Sequence, residues 1–271
     1  MAFTAPEYEP WNDLEKFCIE PCEADVAFNL TFEENIELGN TKLLHSERGY
    51  EIYEQNHQRV RIFRHDETNE IVVMDIEKST KKHEVFFLQK YSKAWGSAMM
   101  LKIMNLPRLQ ILYQGIFLHT SFVVYDGEAI LFSGKKQVGK STQASLWREH
   151  KKALIANGDR AILKKINGRW YACGSPYCGT SKICENIISP IKSIVILSQG
   201  KENVVTHASV REAFVSLMKN CSFETWDRAQ MERTLQLTEQ ISTEVRFVKL
   251  SCLPDKNAVE TLEEYLWQSQ K

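Results

Sequence analysis

The chain has 271 residues, of which 43% are hydrophobic and 25% charged, and its formal net charge is −1. These values are typical of a globular protein and exclude a disordered or fibrous chain. A net charge near zero also argues against a general electrostatic attraction to nucleic acid or to an anionic membrane. From the length we expect two domains. From the charge we expect no nucleic-acid or membrane partner.

The apolar and cysteine patterns favour an intracellular protein. The first ten residues are acidic and lack an apolar core, so we expect no signal peptide. The most apolar stretch, residues 111–125, is interrupted by polar side chains and is too short to span a bilayer. The seven cysteines are scattered, which favours reduced thiols over disulfides or zinc ligands. These features predict a soluble, cytoplasmic protein.

The first part of the chain has the pattern of a β-rich domain. Residues 50–87 contain short alternating runs, in which Val60 and Ile62 alternate with Arg59 and Arg61, and they predict an antiparallel sheet. Residues 91–104 are rich in Ala and Met and predict one helix that ends before Pro107. We place the N-terminal domain at residues 1–110.

Residues 111–271 mix strands and helices and form the second predicted domain. A strand at 117–124 and a second strand at 129–132 lead into a glycine-rich loop, and the pair Asn167-Gly168 predicts a tight hairpin. The fold class is therefore α/β, with a tendency towards α+β. The remaining predicted elements are a helix at 141–150, strands at 154–156, 161–166, 169–173, 194–197 and 245–250, and helices at 210–218, 226–241 and 258–267.

The loop at residues 134–142 satisfies the pattern G-x-x-x-x-G-K-[ST] in full. Its glycines allow successive backbone N–H groups to converge on one anion at the start of a helix. Lys140 would reach the β- and γ-phosphates of ATP, and the Ser141 hydroxyl would ligate Mg²⁺. The predicted ATP-binding residues are Gly134, Lys135, Lys136, Gln137, Val138, Gly139, Lys140, Ser141 and Thr142.

Alternatives remain open for parts of this pattern. A glycine turn that only caps a helix would leave Lys140 solvated, but the preceding strand and following helix favour phosphate binding. Lys135 and Lys136 either add charge near the phosphates or are solvated lysines of an exposed loop. The predicted substrates and cofactors are ATP and Mg²⁺.

A phosphoryl transferase also needs a carboxylate near the metal or the attacking hydroxyl. Asp159 follows the apolar run at residues 154–156, so it would lie at a strand end that faces the nucleotide. Without the loop at residues 134–142, the segment Asn157-Gly158-Asp159 would be interpreted as a simple turn. Asp159 is nevertheless our candidate for both a catalytic and a metal-binding residue.

Together these residues resemble the HPr kinase/phosphorylase-like proteins of the phosphoenolpyruvate carboxykinase-like P-loop superfamily. The matching segments are Leu118-His119-Thr120, residues 134–142, residues 155–161 and residues 174–181, in the order of that family. The resemblance implies a phosphoenolpyruvate carboxykinase/HPr kinase-like nucleotide-binding core beside the N-terminal antiparallel domain. The region before residue 115 does not match, so the chain resembles the small type that lacks the HPr kinase N-terminal domain.

The resemblance also implies roles for individual residues. Asp159 matches a general base, and His119 would lie by the phosphates, although a histidine on an apolar strand is as often a core residue. Arg160 would contact substrate or orient the acid, or else form a surface ion pair. Thr180 and Ser181 belong to a loop that would close over the substrate, or to an ordinary tight loop. Gly158 departs from the family, which has an acid there.

The resulting hypothesis is an ATP- and Mg²⁺-dependent kinase, a phosphotransferase with an alcohol group as acceptor. The acceptor would be a serine of a peptide or protein, or a small hydroxyl compound. Residues 1–110 would select it, and the resemblance also implies a homo-oligomer. The alternative is a catalytically inactive nucleotide-binding regulatory or adaptor module, suggested by Gly158 and by the loop residues Lys-Lys-Gln-Val, where the resembling family commonly has a serine and further glycine. A motion-coupled NTPase is disfavoured because its apolar strand ending in Asp-Glu is not evident.

Overall fold

The computed structural model of the chain describes residues 2–4, 14–20 and 22–268. It is a mixed α/β structure with two sheets and several helices. It divides into two compact units, Met1–Met104 and Asn105–Lys271. Within the described ranges, no helix combines the length and apolarity that a membrane span requires.

The first unit is built on a seven-stranded sheet with the order β1-β2-β7-β6-β5-β4-β3. Successive strands from β3 to β7 pair antiparallel, which confirms the antiparallel sheet predicted for residues 50–87. Only β1–β2 and β2–β7 are parallel pairs among the described strands of this sheet. The strands are β1 (Ala2–Thr4), β2 (Ala27–Glu33), β3 (Lys42–Glu47), β4 (Tyr50–Gln55), β5 (Gln58–Arg64), β6 (Ile71–Ser79) and β7 (Lys82–Leu88).

A buried polar group interrupts the alternation expected for β5. Arg61 is buried along with its neighbours Val60 and Ile62. Its guanidinium lies 3.2 Å from Asp75 Oδ2, and Asp75 Oδ1 lies 2.8 Å from His83 Nδ1. Because an isolated buried charge is strongly unfavourable, the Asp75 carboxylate makes the buried position of Arg61 tolerable.

The single helix predicted for residues 91–104 is wrong. A 3₁₀ helix spans Gln89–Ala94, Trp95 is extended, and α1 begins after Gly96 and covers Ser97–Met104. The helix does end before Pro107 as predicted, at Met104, but a second helix follows at once, since α2 spans Leu106–Leu112 with Pro107 in its first turn. Proline is tolerated there because the first N–H groups of a helix have no intrahelical acceptor.

The second unit contains a ten-stranded sheet. Its main path runs β11-β9-β10-β14-β13-β12-β8-β16, and β17 joins it through β14 and pairs with β15. The strands are β8 (Gly115–His119), β9 (Ser121–Tyr125), β10 (Glu128–Ser133), β11 (Leu154–Asn157), β12 (Arg160–Ile166), β13 (Arg169–Cys173), β14 (Ile188–Gln199), β15 (Val204–His207), β16 (Cys221–Ser222) and β17 (Phe247–Cys252). The remaining helices are α3 (Lys140–Lys151), α4 (Val210–Asn220), α5 (Arg228–Glu244) and α6 (Lys256–Gln268).

The continuous strand predicted at residues 117–124 is two strands, broken at Thr120. Strand β8 pairs with β12, whereas β9 pairs with β10 and β11. Thr120 lies between the two strands and bonds to both neighbouring segments. Its N–H donates to Asp159 O at 2.9 Å, and its hydroxyl donates to Phe132 O at 2.8 Å. This break brings the end of β8 close to Asp159.

Side chains of the central strands alternate between two apolar layers, as a period of two requires. On β10, Ala129 and Leu131 face the layer that includes α4 and α5. Ile130 and Phe132 face the opposite layer, which includes α3 and α6. Helices therefore cover both faces of the central sheet, and the β10–β14 parallel pair lies between them.

The hairpin predicted at Asn167-Gly168 is confirmed. Strands β12 and β13 pair antiparallel up to Ile166 and Arg169. The two turn residues have φ values of 48° and 83°, and a positive φ at both positions is the mark of a primed two-residue turn.

Trp147 of α3 provides a test of the packing beneath the loop. Its side chain is fully buried in the α3/α6 layer, with ring centroids 5.3 Å from Tyr125 and 6.2 Å from Trp267. We expect Trp147→Ala to lower the free energy of unfolding by about 3–5 kcal/mol, because the cavity cannot be refilled. Urea unfolding followed by circular dichroism measures this. Leu154→Ala, at an exposed site, is the control and should change stability by less than about 0.5 kcal/mol.

Candidate functional site

The glycine-rich loop connects the end of β10 at Ser133 to the start of α3 at Lys140. Gly134 has a φ of 148°, and a Cβ atom on it would lie 3.2 Å from Leu197 O. Gly139, the N-cap of α3, has a φ of 112°, a conformation that side-chain-bearing residues rarely adopt. Both glycines are therefore required by the backbone path that turns the chain into α3.

Lys140 lies beneath this loop and is buried. Its Nζ donates to Gly134 O at 3.1 Å and to Lys135 O at 3.2 Å, which uses two of its three donors. Burial lowers the pKa of Lys140, and the negative charge of Asp159 acts in the opposite direction.

The other predicted ATP-binding residues surround Lys140 and differ in exposure. Gln137 adopts a left-handed conformation with a φ of 65° although it is not glycine. Ser141 and Thr142 are exposed on the first turn of α3, where the positive end of the helix dipole favours anions. Lys135, Lys136 and Gln137 are exposed, and Val138 and Gly139 are half-buried.

Asp159 is held in the turn between β11 and β12 by Asn157. The fully buried Asn157 side chain accepts from the N–H groups of Asp159 and Arg160, both at 2.8 Å. Its amide donates to Ser175 O, also at 2.8 Å. One side chain therefore fixes the backbone that carries the acid and ties it to the loop after β13.

The Asp159 carboxylate has two cationic or hydrogen-bonding neighbours. His119 Nε2, at the end of β8, lies 3.5 Å from Oδ1, and Arg160 Nε donates to Oδ2 at 3.1 Å. The hydrogen bond from His119 is the main reason that the pKa of Asp159 is lowered, and the charge of Arg160 lowers it further, whereas burial opposes both. The carboxylate is thereby kept ionised.

Arg160 is engaged by the protein itself. Besides Asp159, its guanidinium donates to Ser222 Oγ at 2.8 Å and lies 5.6 Å from the centroid of the Phe117 ring. These contacts favour a role in orienting Asp159. Direct contact between Arg160 and a substrate stays a prediction.

The loop carrying Thr180 and Ser181 lies against Asp159. Gly179 has a φ of 54°, and a Cβ atom there would lie 2.7 Å from Asp159 Cγ. The Ser181 hydroxyl donates to Cys178 O at 2.6 Å and accepts from Ile183 N, so it stabilises its own turn. Thr180 is exposed beside it. The structure thus brings this loop to the acid, as a loop covering the site would require.

Gly158, where the resembling family has an acid, is explained by close packing. A Cβ atom at this position would collide with Ser181 Oγ and lie 2.6 Å from Ser181 Cβ. The Gly158 N–H donates to Ile183 O at 3.1 Å. A larger side chain at Gly158 is therefore incompatible with the position of this loop.

Two important residues were missed by the sequence reasoning. Asn157 was treated as part of a turn, although asparagine two residues before a fixed backbone N–H is a known signal for such a side-chain cap. Ser222 has no local signal, because it reaches Arg160 through the pairing of β16 with β8. Only the tertiary fold places it at the site.

The candidate site has two side chains with oxygen donors suited to a divalent metal ion. In the described part of the chain, no group of three or more His, Cys, Asp or Glu side chains could hold a metal ion. Mg²⁺ in nucleotide sites commonly uses one or two carboxylates and the substrate phosphates. The exposed Ser141 hydroxyl and the half-buried Asp159 carboxylate are donors of this kind.

Comparison with known proteins gives a distant neighbour. The sequence matches no protein-family model and no curated protein. A solved structure, "Structure of the Hpr(Ser) kinase/phosphatase from Coxiella burnetii", is 12% identical, with a TM-score of 0.33 over 56% of this chain and 88% of that chain. A likeness at this level leaves the geometry of the site as the basis for a functional proposal.

The packing at Gly158 can be tested by a double-mutant cycle. Gly158→Ala should destabilise the protein, because its methyl group overlaps Ser181. In a Ser181→Gly background the overlapping atoms are absent, so the same substitution should cost much less, and the two changes should couple by at least about 0.5 kcal/mol. Thermal unfolding of the four proteins measures the coupling. Additive effects would show that the two residues do not touch.

The charge state of Asp159 gives a pH prediction. Its pKa is lowered below the ordinary 3.8, so the ionised form stabilises the fold above that value, and this contribution is lost as the pH falls through the lowered pKa. His119→Ala removes the principal cause and should raise the pKa of Asp159. Carbon-detected NMR titration of the carboxyl measures it. His207→Ala, at an exposed histidine of β15, should leave it unchanged, and so would His119→Ala if His119 did not bind the carboxylate.

Proposed function

We propose that the chain is a kinase that transfers the γ-phosphoryl group of ATP to the hydroxyl of an acceptor. The observation that carries the proposal is that His119, which lies 3.5 Å from the Asp159 carboxylate, lines the same cleft as residues 134–138 of the glycine-rich loop. The resemblance to HPr kinase-like proteins on residues 118–120, 134–142 and 155–161 supports the same conclusion.

The proposed roles of the loop follow from its donors. Backbone N–H groups around Gly134 and Gly139 would bind the phosphates, with the start of α3 adding its positive dipole. Lys140 would move a donor from the loop carbonyls to the β- and γ-phosphates. Ser141 and Asp159 would hold Mg²⁺, which supplies charge neutralisation at the phosphates when bound.

Asp159 would accept the proton of the acceptor hydroxyl. As the hydroxyl oxygen forms its bond to the γ-phosphorus, the bond between that phosphorus and the β,γ-bridging oxygen breaks. ADP leaves with the bonding electron pair, and the hydroxyl proton passes to the carboxylate. His119 and Arg160 would hold the carboxylate towards the acceptor throughout.

One observation favours the alternative, a catalytically inactive nucleotide-binding regulatory module. The lowered pKa of Asp159 makes its carboxylate a weaker base than an ordinary aspartate. A module that only binds nucleotide does not need the carboxylate, so Asp159 separates the two functions. The cytoplasmic location, the homo-oligomer and the selection of the acceptor by residues 1–110 stay predictions.

Two substitutions test the kinase. Lys140→Ala should weaken Mg²⁺-dependent ATP binding by roughly 10- to 100-fold, the loss of one charged hydrogen-bonding group. Asp159→Asn should still bind ATP but transfer phosphate about 10²- to 10⁴-fold more slowly, as expected for removal of a general base. Calorimetry and radiolabelled transfer to serine peptides and small alcohols measure these effects. The control Lys201→Ala changes an exposed lysine outside the site.

The outcome separates the two functions. Transfer by the wild type that depends on Asp159 supports the kinase. If ATP binds equally to the wild type and to Asp159→Asn, and neither consumes it with any acceptor, the regulatory module is the correct account.

A further inference from the structure

A cleft of about 880 Å³ lies along the glycine-rich loop within the second unit. One wall is formed by loop residues 134–138, another by the end of β14 at residues 196–199, and a third by α4. His119, the neighbour of Asp159, also lines the cleft. A volume of this size is typical of a ligand site. This cleft extends to the end of β8 that carries His119.

The cleft has a strong excess of positive charge. Among the described residues that line it, five side chains are cationic, namely Lys135, Lys136, Arg211, Lys219 and Lys249, and one, Glu212, is a carboxylate. Glu212 is paired with Lys249 at 2.8 Å. No ion pair within the described residues involves the other four cations, although the whole chain has a net charge of −1. The cleft therefore favours a polyanionic ligand.

The cationic side chains of α4, Arg211 and Lys219, are not required for binding the nucleotide phosphates. The phosphates would be met by Lys140 and by the loop backbone with Lys135 and Lys136, and the loop residues lie on one wall of the cleft. Arg211 and Lys219 belong to another wall. They are eight residues apart with Val215 midway, so all three share one side of α4, and the helical rise separates their backbone positions by about 12 Å along the axis. This spacing matches about four residues of an extended peptide.

The direction of α4 relates these cations to Asp159. After Asn220 the chain enters β16, in which Cys221 pairs with Leu118 of β8 and Ser222 accepts from Arg160. Lys219 therefore lies towards the Asp159 end of the cleft, and Arg211 lies farther away beside Glu212 and Lys249. A peptide with its hydroxyl at Asp159 would pass Lys219 first and Arg211 second.

We propose that this cleft binds the phosphate acceptor, and that the acceptor is a serine-containing peptide segment with acidic side chains about four residues apart. The acidic groups pair with Lys219 and Arg211, and the aliphatic surface of Val138, Val215 and Ile196 contacts the peptide between them. The inference rests on the proposed kinase function and specifies its substrate class.

Steady-state kinetics with matched peptides test the proposal. Three serine peptides of one length would carry Asp, Asn or Lys at the two flanking positions, and glycerol phosphate would serve as a small anionic acceptor. We expect the Asp peptide to have the lowest KM and a KM that rises with salt. Arg211→Gln and Lys219→Gln should each raise that KM roughly fivefold, without changing the KM for ATP. The matched control is Lys201→Gln, outside the cleft.

Charge reversal provides a second test. The double variant with Arg211→Glu and Lys219→Glu should prefer the Lys peptide, and circular dichroism would verify that it is folded. Equal KM values for the three peptides would overturn the proposal. So would a raised KM for ATP in the Gln variants, which would assign the cleft to the nucleotide. Equal use of glycerol phosphate with the same dependence on both cations would overturn the peptide class.

A binding measurement separates this inference from the kinase itself. Fluorescence anisotropy of a labelled Asp peptide, in the presence of a non-hydrolysable ATP analogue, requires no turnover. Binding that is weakened by Arg211→Gln and Lys219→Gln supports the cleft as a peptide site even if no phosphate is transferred. Binding that is absent, or that is indifferent to both substitutions, overturns the cleft assignment while phosphate transfer is judged separately.

Discussion

The candidate site depends on the side chain of Asn157. It is fully buried at the end of β11, accepts from the N–H groups of Asp159 and Arg160, and donates to Ser175 O. A buried amide with unmet hydrogen bonds would be costly, so satisfying it fixes the turn in one conformation. The acid and its arginine partner leave the turn in set directions, and the loop after β13 is held over them. The hydrogen bonds from Thr120 N–H to Asp159 O and from Gly158 N–H to Ile183 O hold the same turn from outside, and Asn157 holds it from within.

The parallel pairing of β10 with β14 positions the other half of the site. Both strands end at the same edge, so the loop after Ser133 lies beside residues 196–199, and a Cβ atom on Gly134 would approach Leu197 O. Helix α4 packs on the same sheet through Ala213 and Leu217, which brings its polar face to the loop. Phosphate loop, acid and cationic helix are thus positioned by one sheet rather than by flexible segments.

Local signals in the sequence predicted the elements that local chemistry decides. The loop, its following helix and the Asn167-Gly168 hairpin have glycines where the backbone needs positive φ, and these predictions agree with the structure. Elements decided by distant partners were missed. The break at Thr120 arises because β8 and β9 pair with different strands, and the strand β15 forms only by pairing with β17. Pairing between distant strands also brings Ser222 to Arg160, because β16 pairs with β8. The position of α4 beside the cleft likewise depends on its packing against the sheet.

The lowered pKa of Asp159 is consistent with a role in phosphoryl transfer. Hydrogen bonding from His119 and the charge of Arg160 lower the pKa of the carboxyl group and so reduce the basicity of the carboxylate. In a loose transition state the acceptor oxygen has formed little of its bond to phosphorus, so its proton has not yet become strongly acidic, and positioning contributes more than basicity. In the proposed kinase, the contacts that orient Asp159 would therefore outweigh its reduced basicity. The residues that weaken the base are the same ones that orient it.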